Sequence, residues 1–212
     1  MQNIKNSAAK WYNWTYRRRY SMIQKAARFL ASFVECTGFI NENPHITIEM
    51  IVFGCNILIS TFLGWFTVLI LSFQWRVFLE GAIFVISFSL IRSFAGGVHA
   101  KHSEICLSIY VGIFILTAFL VKAVKAFWIV ELLAAGMFIP FCYFAPQGTI
   151  RNEVPDSKIP IKKRKSIIIV ILLFLIFSLV PISSTCKKYG IFAILWCELM
   201  VVIGALQKAV RK

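Results

Sequence analysis

The sequence predicts an all-α, polytopic membrane protein: a bundle of about six transmembrane or membrane-embedded helices that follows an amphipathic amino-terminal helix. Hydrophobic residues make up 59% of the 212 residues and the mean hydropathy is +0.77, both well above the values of soluble domains. The apolar residues are concentrated in long runs, as in segments that cross a bilayer. Six such runs are separated by polar breaks, at 48–73, 77–91, 105–121, 126–145, 167–182 and 191–206.

Residues 1–45 are predicted to form a cytoplasmic or interfacial segment, followed by a single membrane-embedded domain over 46–212. The first 28 residues contain no apolar core with a small-residue cleavage site, so they are not expected to be a removable signal peptide. Beyond them, apolar residues recur at helical spacing opposite a basic face. This pattern predicts a helix that either lies along the membrane surface or packs on the protein's own cytoplasmic side. The apolar stripe comprises Ile23, Ala26, Ala27, Leu30, Phe33 and Val34.

The charged residues are mostly basic, with 23 Lys and Arg against 9 Asp and Glu and a formal net charge of +14. This surplus suits contact with membrane lipid or an acidic peptide. Nucleic acid is not an expected partner, because the aromatic residues lie within the apolar runs rather than among the charges. Short loops rich in Lys and Arg tend to remain cytoplasmic. When the polar breaks are assigned alternately to the two sides of the membrane, both termini and the His99 loop therefore lie in the cytoplasm. The Lys and Arg residues that then lie outside are Arg76, Lys122, Lys125, Lys187 and Lys188.

The segment 92–106, RSFAGGVHAKHSEIC, gathers the groups from which a cysteine nucleophile could be built beside a membrane. Ser103 has the side chain of an N-cap for the 105–121 helix, which places Cys106 in the first helical turn. In that turn, unpaired backbone N–H groups and the helix dipole favour a thiolate. A neighbouring histidine can then act as the general base.

Two histidines compete for the role of base. His102 is four residues from Cys106 and would share a helix face with it. His99 is seven residues away, roughly 10 Å along a continuous helix, so it reaches the thiol only if the helix breaks between them. Gly96 and Gly97 supply flexibility just before His99 and could expose backbone N–H groups to a developing oxyanion. The residues alone leave both bases open, although the local spacing favours His102.

Other interpretations of the same residues involve a metal ion or simple packing. His99, His102 and Cys106 could be metal ligands, but no spaced partner occurs elsewhere, so no metal and no cofactor is predicted. Alternatively, Cys106 packs as a small apolar residue in a membrane helix. Packing is the predicted role of the remaining cysteines, which are Cys36, Cys55, Cys142, Cys186 and Cys197.

At these residues the chain resembles the accessory gene regulator B (AgrB) family, membrane peptidases that mature cyclic autoinducing peptides in Gram-positive bacteria. The resemblance rests on Arg92-Ser93-Phe94-Ala95-Gly96-Gly97, on His99-Ala100-Lys101 and on Cys106, with the same separation between His and Cys. The long loop is similar too: it opens with Ala145-Pro146 and closes with Pro160-Ile161-Lys162-Lys163-Arg164-Lys165. One departure is Val98, which stands where an aromatic residue is frequent in the family.

The resemblance implies that the 46–212 domain is a cysteine endopeptidase for quorum sensing in the bacterial plasma membrane. Cys106 is the implied nucleophile and His99 the implied general base. The implied reaction removes the carboxy-terminal part of an AgrD-type propeptide and, through an acyl-enzyme thioester, cyclises the retained part to a thiolactone or lactone. Supporting or oxyanion candidates are Arg92, Gly96 and Gly97. Candidates for binding the acidic propeptide tail are Lys162, Lys163, Arg164 and Lys165, which could also form a lipid-anchoring stop-transfer cluster.

Other classes of function remain open at this stage. A transporter or exporter of a small peptide would also have six spans, and Glu80 and Glu131 lie within two of them. A noncatalytic sensor or scaffold would form no covalent adduct with thiol-directed peptide analogues. Homodimerisation would suit a small bundle, although no GxxxG motif argues for it.

Overall fold

The computed structural model describes residues 22–36, 48–96, 103–146 and 159–210. Within these ranges the chain forms seven α-helices. They are α1 (Met22–Cys36), α2 (Ile48–Gln74), α3 (Phe78–Ala95), α4 (Ser103–Ala123), α5 (Phe127–Phe144), α6 (Ile159–Leu179) and α7 (Ser184–Val210). The predicted all-α class is confirmed, and each of the six predicted spans corresponds to one of the helices α2 to α7.

Five of these helices are long and apolar enough to cross a membrane, and α6 is the exception among α2 to α7. The basic run 162–165 lies in its first two turns, so the prediction that residues up to 166 form a loop is wrong in its last part. Pro160 does not prevent this early start, because proline is tolerated in the first turn of a helix. The apolar remainder, 166–179, is only about 21 Å long at 1.5 Å per residue. Basic side chains that reach toward the headgroups would have to complete the crossing.

The chain divides into two compact units. The first unit contains α1, α2 as far as Gly64 and the start of α4 through Ser108. The second contains α2 from Trp65, α3, α4 from Ile109 and the helices α5 to α7.

In the first unit, α1 buries a narrower face than its sequence predicts. Ile23 and Ala27 are buried as expected of the apolar stripe, whereas Leu30 and Phe33 are exposed. Phe29 is exposed as well. The helix therefore presents bulky apolar side chains on its surface, which is the property of a helix that contacts lipid.

In the second unit, α7 is the central helix, because it packs along α3 on one side and along α5 and α6 on others. Residues 189–194 are buried around the full circumference of the helix. A helix that is buried on every face belongs to the core of a bundle. Gly190 permits a close approach of α7 to α6, since a Cβ atom at this position would overlap the ring of Phe177 on α6.

Two lysines at the start of α7 cap neighbouring helices at one end of the second unit. Lys188 Nζ donates a hydrogen bond of 2.7 Å to the carbonyl of Val124, just beyond α4. Lys187 Nζ donates one of 3.2 Å to the carbonyl of Ser178 in the last turn of α6. The carboxyl ends of helices carry unpaired carbonyls and partial negative charge, so both contacts stabilise them. We call this end, which Lys187 and Lys188 define, the capped end.

Candidate active site

Cys106 lies in the first turn of α4, which begins at Ser103, one residue before the predicted first helical residue. Its side chain is half-buried and carries a thiol. Glu104, also in this turn, accepts through Oε1 a hydrogen bond of 3.2 Å from the backbone nitrogen of Met22. The amphipathic helix α1 therefore begins beside the turn that carries the candidate nucleophile. An amino-terminal helical turn has unpaired N–H groups and a positive dipole end, an environment that favours a thiolate.

The last turn of α3, in the second unit, contains Arg92, the first residue of the predicted site segment 92–106. The Cζ atom of Arg92 lies 5.7 Å from the centroid of the Phe88 ring, and its Nη1 atom donates to the sulfur of Met200 on α7 at 3.6 Å. Gly96 follows this helix with φ 71° and ψ −135°. Side chains are rarely compatible with such a backbone, so the chain requires a glycine where it leaves α3.

The basic run 162–165 lies at the same end of the second unit as Arg92. Its first two residues are half-buried and its last two are exposed. The Nζ atom of Lys165 lies 6.0 Å from the centroid of the Phe94 ring, which is within the range of a cation–π contact. Phe94 is two positions beyond Arg92 on α3. The candidate residues for binding an acidic peptide are therefore placed beside the end of α3, and we call this the basic end.

Three predicted site residues, Gly97, His99 and His102, lie outside the described residues. The choice between the two histidines stays a prediction, and so does the pairing of either one with Cys106. Within the part of the chain that the structure describes, no group of three His, Cys, Asp or Glu residues is arranged to hold a metal ion.

Glu198 is a functional candidate that sequence reasoning missed. It lies in α7, is 1% exposed, and neither of its carboxylate oxygens has a hydrogen-bond partner among the described residues. Glu80 and Glu131 are recognisable as carboxylates within apolar runs, and the same criterion applied to 191–206 would have found Glu198.

Five apolar helices of spanning length, among which α7 packs against both α3 and α5, define a polytopic helical membrane protein. The chain belongs to the accessory gene regulator B family, whose profile matches residues 27–202. This match confirms the resemblance and covers the segment from Arg92 to Cys106. The family acts in the agr quorum-sensing system and is involved in processing autoinducing peptides from an AgrD-type peptide.

Individual relatives agree with the family assignment. The chain is 27% identical over 171 residues to AgrB-like protein 2 of Clostridium perfringens (strain 13 / Type A), covering 76% of this chain and 78% of the relative. It is 30% identical over 137 residues to accessory gene regulator protein B of Staphylococcus aureus (strain bovine RF122 / ET3-1), covering 64% and 73%. No solved structure matches the chain at a significant level.

Proposed function

We propose that this protein is a membrane-embedded cysteine endopeptidase that cleaves the carboxy-terminal part from an AgrD-type propeptide and cyclises the retained part. The observation that carries the proposal is the position of Cys106 in the first turn of α4. Reactive cysteines occur in partly exposed sites at the amino-terminal turns of helices, and Cys106 is half-buried in such a turn. Membership of a family that acts in autoinducing peptide processing supports the same assignment.

In the proposed reaction, His99 removes the proton from Cys106 and the thiolate attacks the scissile carbonyl carbon. The peptide C–N bond then breaks, the departing amine takes the proton from the imidazole, and an acyl-enzyme thioester remains. A cysteine of the retained peptide attacks this thioester, releases Cys106 and forms a thiolactone; a serine forms a lactone. Backbone N–H groups at Gly96 and Gly97 are the proposed oxyanion donors. His102 is the alternative base.

Arg92 and the basic run are proposed to position the substrate. Phe88 and Met200 hold the Arg92 guanidinium at the end of α3, so its charge stays close to the chain that leads through Gly96. The basic run 162–165 offers four cations in two turns of α6 to the acidic tail of the propeptide. Attraction between opposite charges accelerates the encounter of the propeptide with the protein and sets the register of the bound peptide.

The proposed orientation places the basic end at the cytoplasmic face of the bacterial cell membrane, together with both termini and the loop around His99. The ends of the helices support this alternation: α3 ends and α6 begins at the basic end, while α4 ends and α7 begins at the capped end. Lys187 and Lys188 donate hydrogen bonds to helix carbonyls, so a role in the fold accounts for these two lysines on the outer side.

The proposal is tested with purified protein in lipid vesicles and a propeptide that has a mass-resolvable tail. We expect Cys106→Ala to lower the cleavage rate to less than about a thousandth of the wild-type rate, because the covalent step is lost. Cys55→Ala, at another half-buried cysteine on an apolar helix, is the matched control and should cleave normally. Cleavage by the Cys106→Ala protein would overturn the peptidase assignment. Peptide transport that survives this substitution without any cleavage would instead identify an exporter.

The general base is tested by comparing His99→Ala with His102→Ala in the same vesicles. We expect the first substitution to abolish cleavage and the second to leave most of it. Wild-type activity of the His99→Ala protein would exclude His99, and a selective loss in the His102→Ala protein would transfer the role to His102.

A further inference from the structure

A cavity of about 190 Å³ lies within the second unit, between α5, α6 and α7. Its walls are formed by alanine and phenylalanine side chains of α5 and by aliphatic and phenylalanine side chains of α6. Among the described residues that line it, Glu198 is the only one that can ionise. The space exists because α5 and α6 contact each other much less than either contacts α7.

A larger hollow of about 430 Å³ lies along α5 and α6 and shares the lining residues Ala135 and Phe174 with the cavity. The hollow is bordered by Trp128 and Glu131, near the start of α5. We call the two spaces together the α5–α6 groove. It has a deep end at Glu198, apolar walls and a second carboxylate toward the capped end.

The burial of the Glu198 carboxyl group is energetically unfavourable in its present surroundings. It is 1% exposed, and its two oxygens have no hydrogen-bond partner in the described part of the chain. An ionised carboxylate in an apolar region without a cation is strongly destabilised, so such a group either keeps its proton or pairs with a cation. The opposite face of α7 is closed against α3, where Cys197 donates to the Phe88 carbonyl at 3.5 Å. A partner for Glu198 can therefore come from the groove.

The side chains that line the α5–α6 groove indicate which class of molecule can pair with Glu198. A bare metal cation requires several oxygen ligands, and the described lining of the cavity supplies those of Glu198 only. An anion would be repelled, and a wholly apolar molecule would leave the carboxyl without a partner. A molecule with an amine at one end of an apolar chain satisfies both the carboxyl and the walls. The size is appropriate, because an apolar cavity of about 150 Å³ accommodates benzene.

We propose that the α5–α6 groove binds an aliphatic primary amine from the lipid phase, with its nitrogen at Glu198 and its chain passing Ala135 and Phe174. The amine enters uncharged and takes the carboxyl proton, so one O–H bond breaks, one N–H bond forms and an ammonium–carboxylate pair results. No net charge is transferred into the membrane by this step. Cys106 is not among the residues that line the groove, and the proposal does not depend on peptidase activity.

The proposal is tested with Cys106→Ala protein in nanodiscs and decylamine that carries a photoreactive diazirine at the far end of its chain. We expect saturable labelling of peptides from α5 and α6, detected by mass spectrometry. The Glu198→Gln variant preserves side-chain size and removes the charge, and it should lower labelling at least about tenfold, as expected when one partner of a buried charge pair is lost. The matched control is Glu80→Gln, at an acidic residue of α3 outside the groove, and its labelling should be unchanged.

A second variant and a second probe keep the test decisive. Ala135→Phe fills the groove on an exposed position of α5 but preserves Glu198, and it should lower labelling by a similar factor. The alcohol with the same chain and diazirine should label at least about tenfold less than the amine, because it cannot form the ion pair. Equal labelling of the Glu198→Gln and unsubstituted proteins, or equal labelling by amine and alcohol, would overturn the proposal.

Discussion

Lysine has different surroundings at the two ends of the second unit. At the capped end, Lys187 and Lys188 donate hydrogen bonds to carbonyls at 3.2 and 2.7 Å, close to where α6 and α4 end. At the basic end, Lys165 lies 6.0 Å from the Phe94 ring centroid, a much looser contact. The comparison suggests that the capped lysines stabilise the fold, whereas those of the basic end are available for a partner.

The helix dipole sharpens this difference. Cations are favourable at the carboxyl end of a helix and unfavourable at its amino end. Lys187 and Lys188 also lie near the amino end of α7, but their ammonium groups reach the carboxyl ends of α6 and α4. The basic run 162–165 occupies the amino-terminal turns of α6, whose first turn contains no acidic residue. The basic run is therefore placed where it lowers helix stability, which is understandable if it binds an acidic peptide or anionic lipid.

Among the substitutions that test this comparison, the largest effect is expected from neutralising the basic run by changing Lys162, Lys163, Arg164 and Lys165 to glutamine. We expect the KM for the propeptide to rise about 10- to 100-fold, because several charge contacts are lost, with no loss of thermal stability. The measurement is cleavage kinetics in vesicles of uncharged lipid mixtures at low salt. A propeptide whose acidic tail is changed to glutamine is the control, and the two proteins should process it with similar KM. An unchanged KM for the natural tail would assign the run to lipid anchoring alone.

A smaller effect, on stability rather than on substrate binding, is expected from Lys188→Met. The substitution removes the donor to the Val124 carbonyl and preserves the length of the side chain. We expect the free energy of unfolding to fall by about 1–3 kcal/mol, the cost of a lost charged hydrogen bond. Denaturant unfolding in detergent measures it, with the exposed Lys122→Met in α4 as a control that should change stability by less than about 0.5 kcal/mol. A raised propeptide KM with unchanged stability would contradict the assignment of Lys188 to the fold.

Much of this fold could be predicted from the sequence, because apolar runs report directly which segments form membrane helices. The amino end of α4 could be predicted as well, since Ser103 and Glu104 are typical helix-start residues. The start of α6 could not be predicted, because charged residues and a proline such as Pro160 are typical of loops. Both are nevertheless compatible with a first helical turn. The exposure of Phe33 on α1 also differs from the prediction, because periodicity identifies an apolar face but not the surface that covers it.

The contacts that define the candidate site are harder to predict from the sequence. Arg92 and Met200 are far apart in the chain, as are Phe94 and Lys165, and only the packing of α3 with α6 and α7 brings each pair together. Cys106 could be identified from its local sequence, because helix-start chemistry is local. The cavity at Glu198 depends on how little α5 and α6 touch, which no pattern within a single helix reports.

The smallest expected effect concerns the cation–π contact between Lys165 of the basic run and Phe94 of α3. A double-mutant cycle with Lys165→Met and Phe94→Leu should give a coupling of about 0.5–1 kcal/mol in the free energy of unfolding, as expected for a pair in which the lysine is exposed and the ring half-buried. Both replacements retain an apolar side chain of similar reach, so the cycle isolates the charge–ring attraction. The same pair should change the propeptide KM only a few-fold, because three cations of the run remain. Strictly additive effects on stability would show that Phe94 does not hold Lys165, and the basic end would then be defined by the packing of α3 against α6 alone.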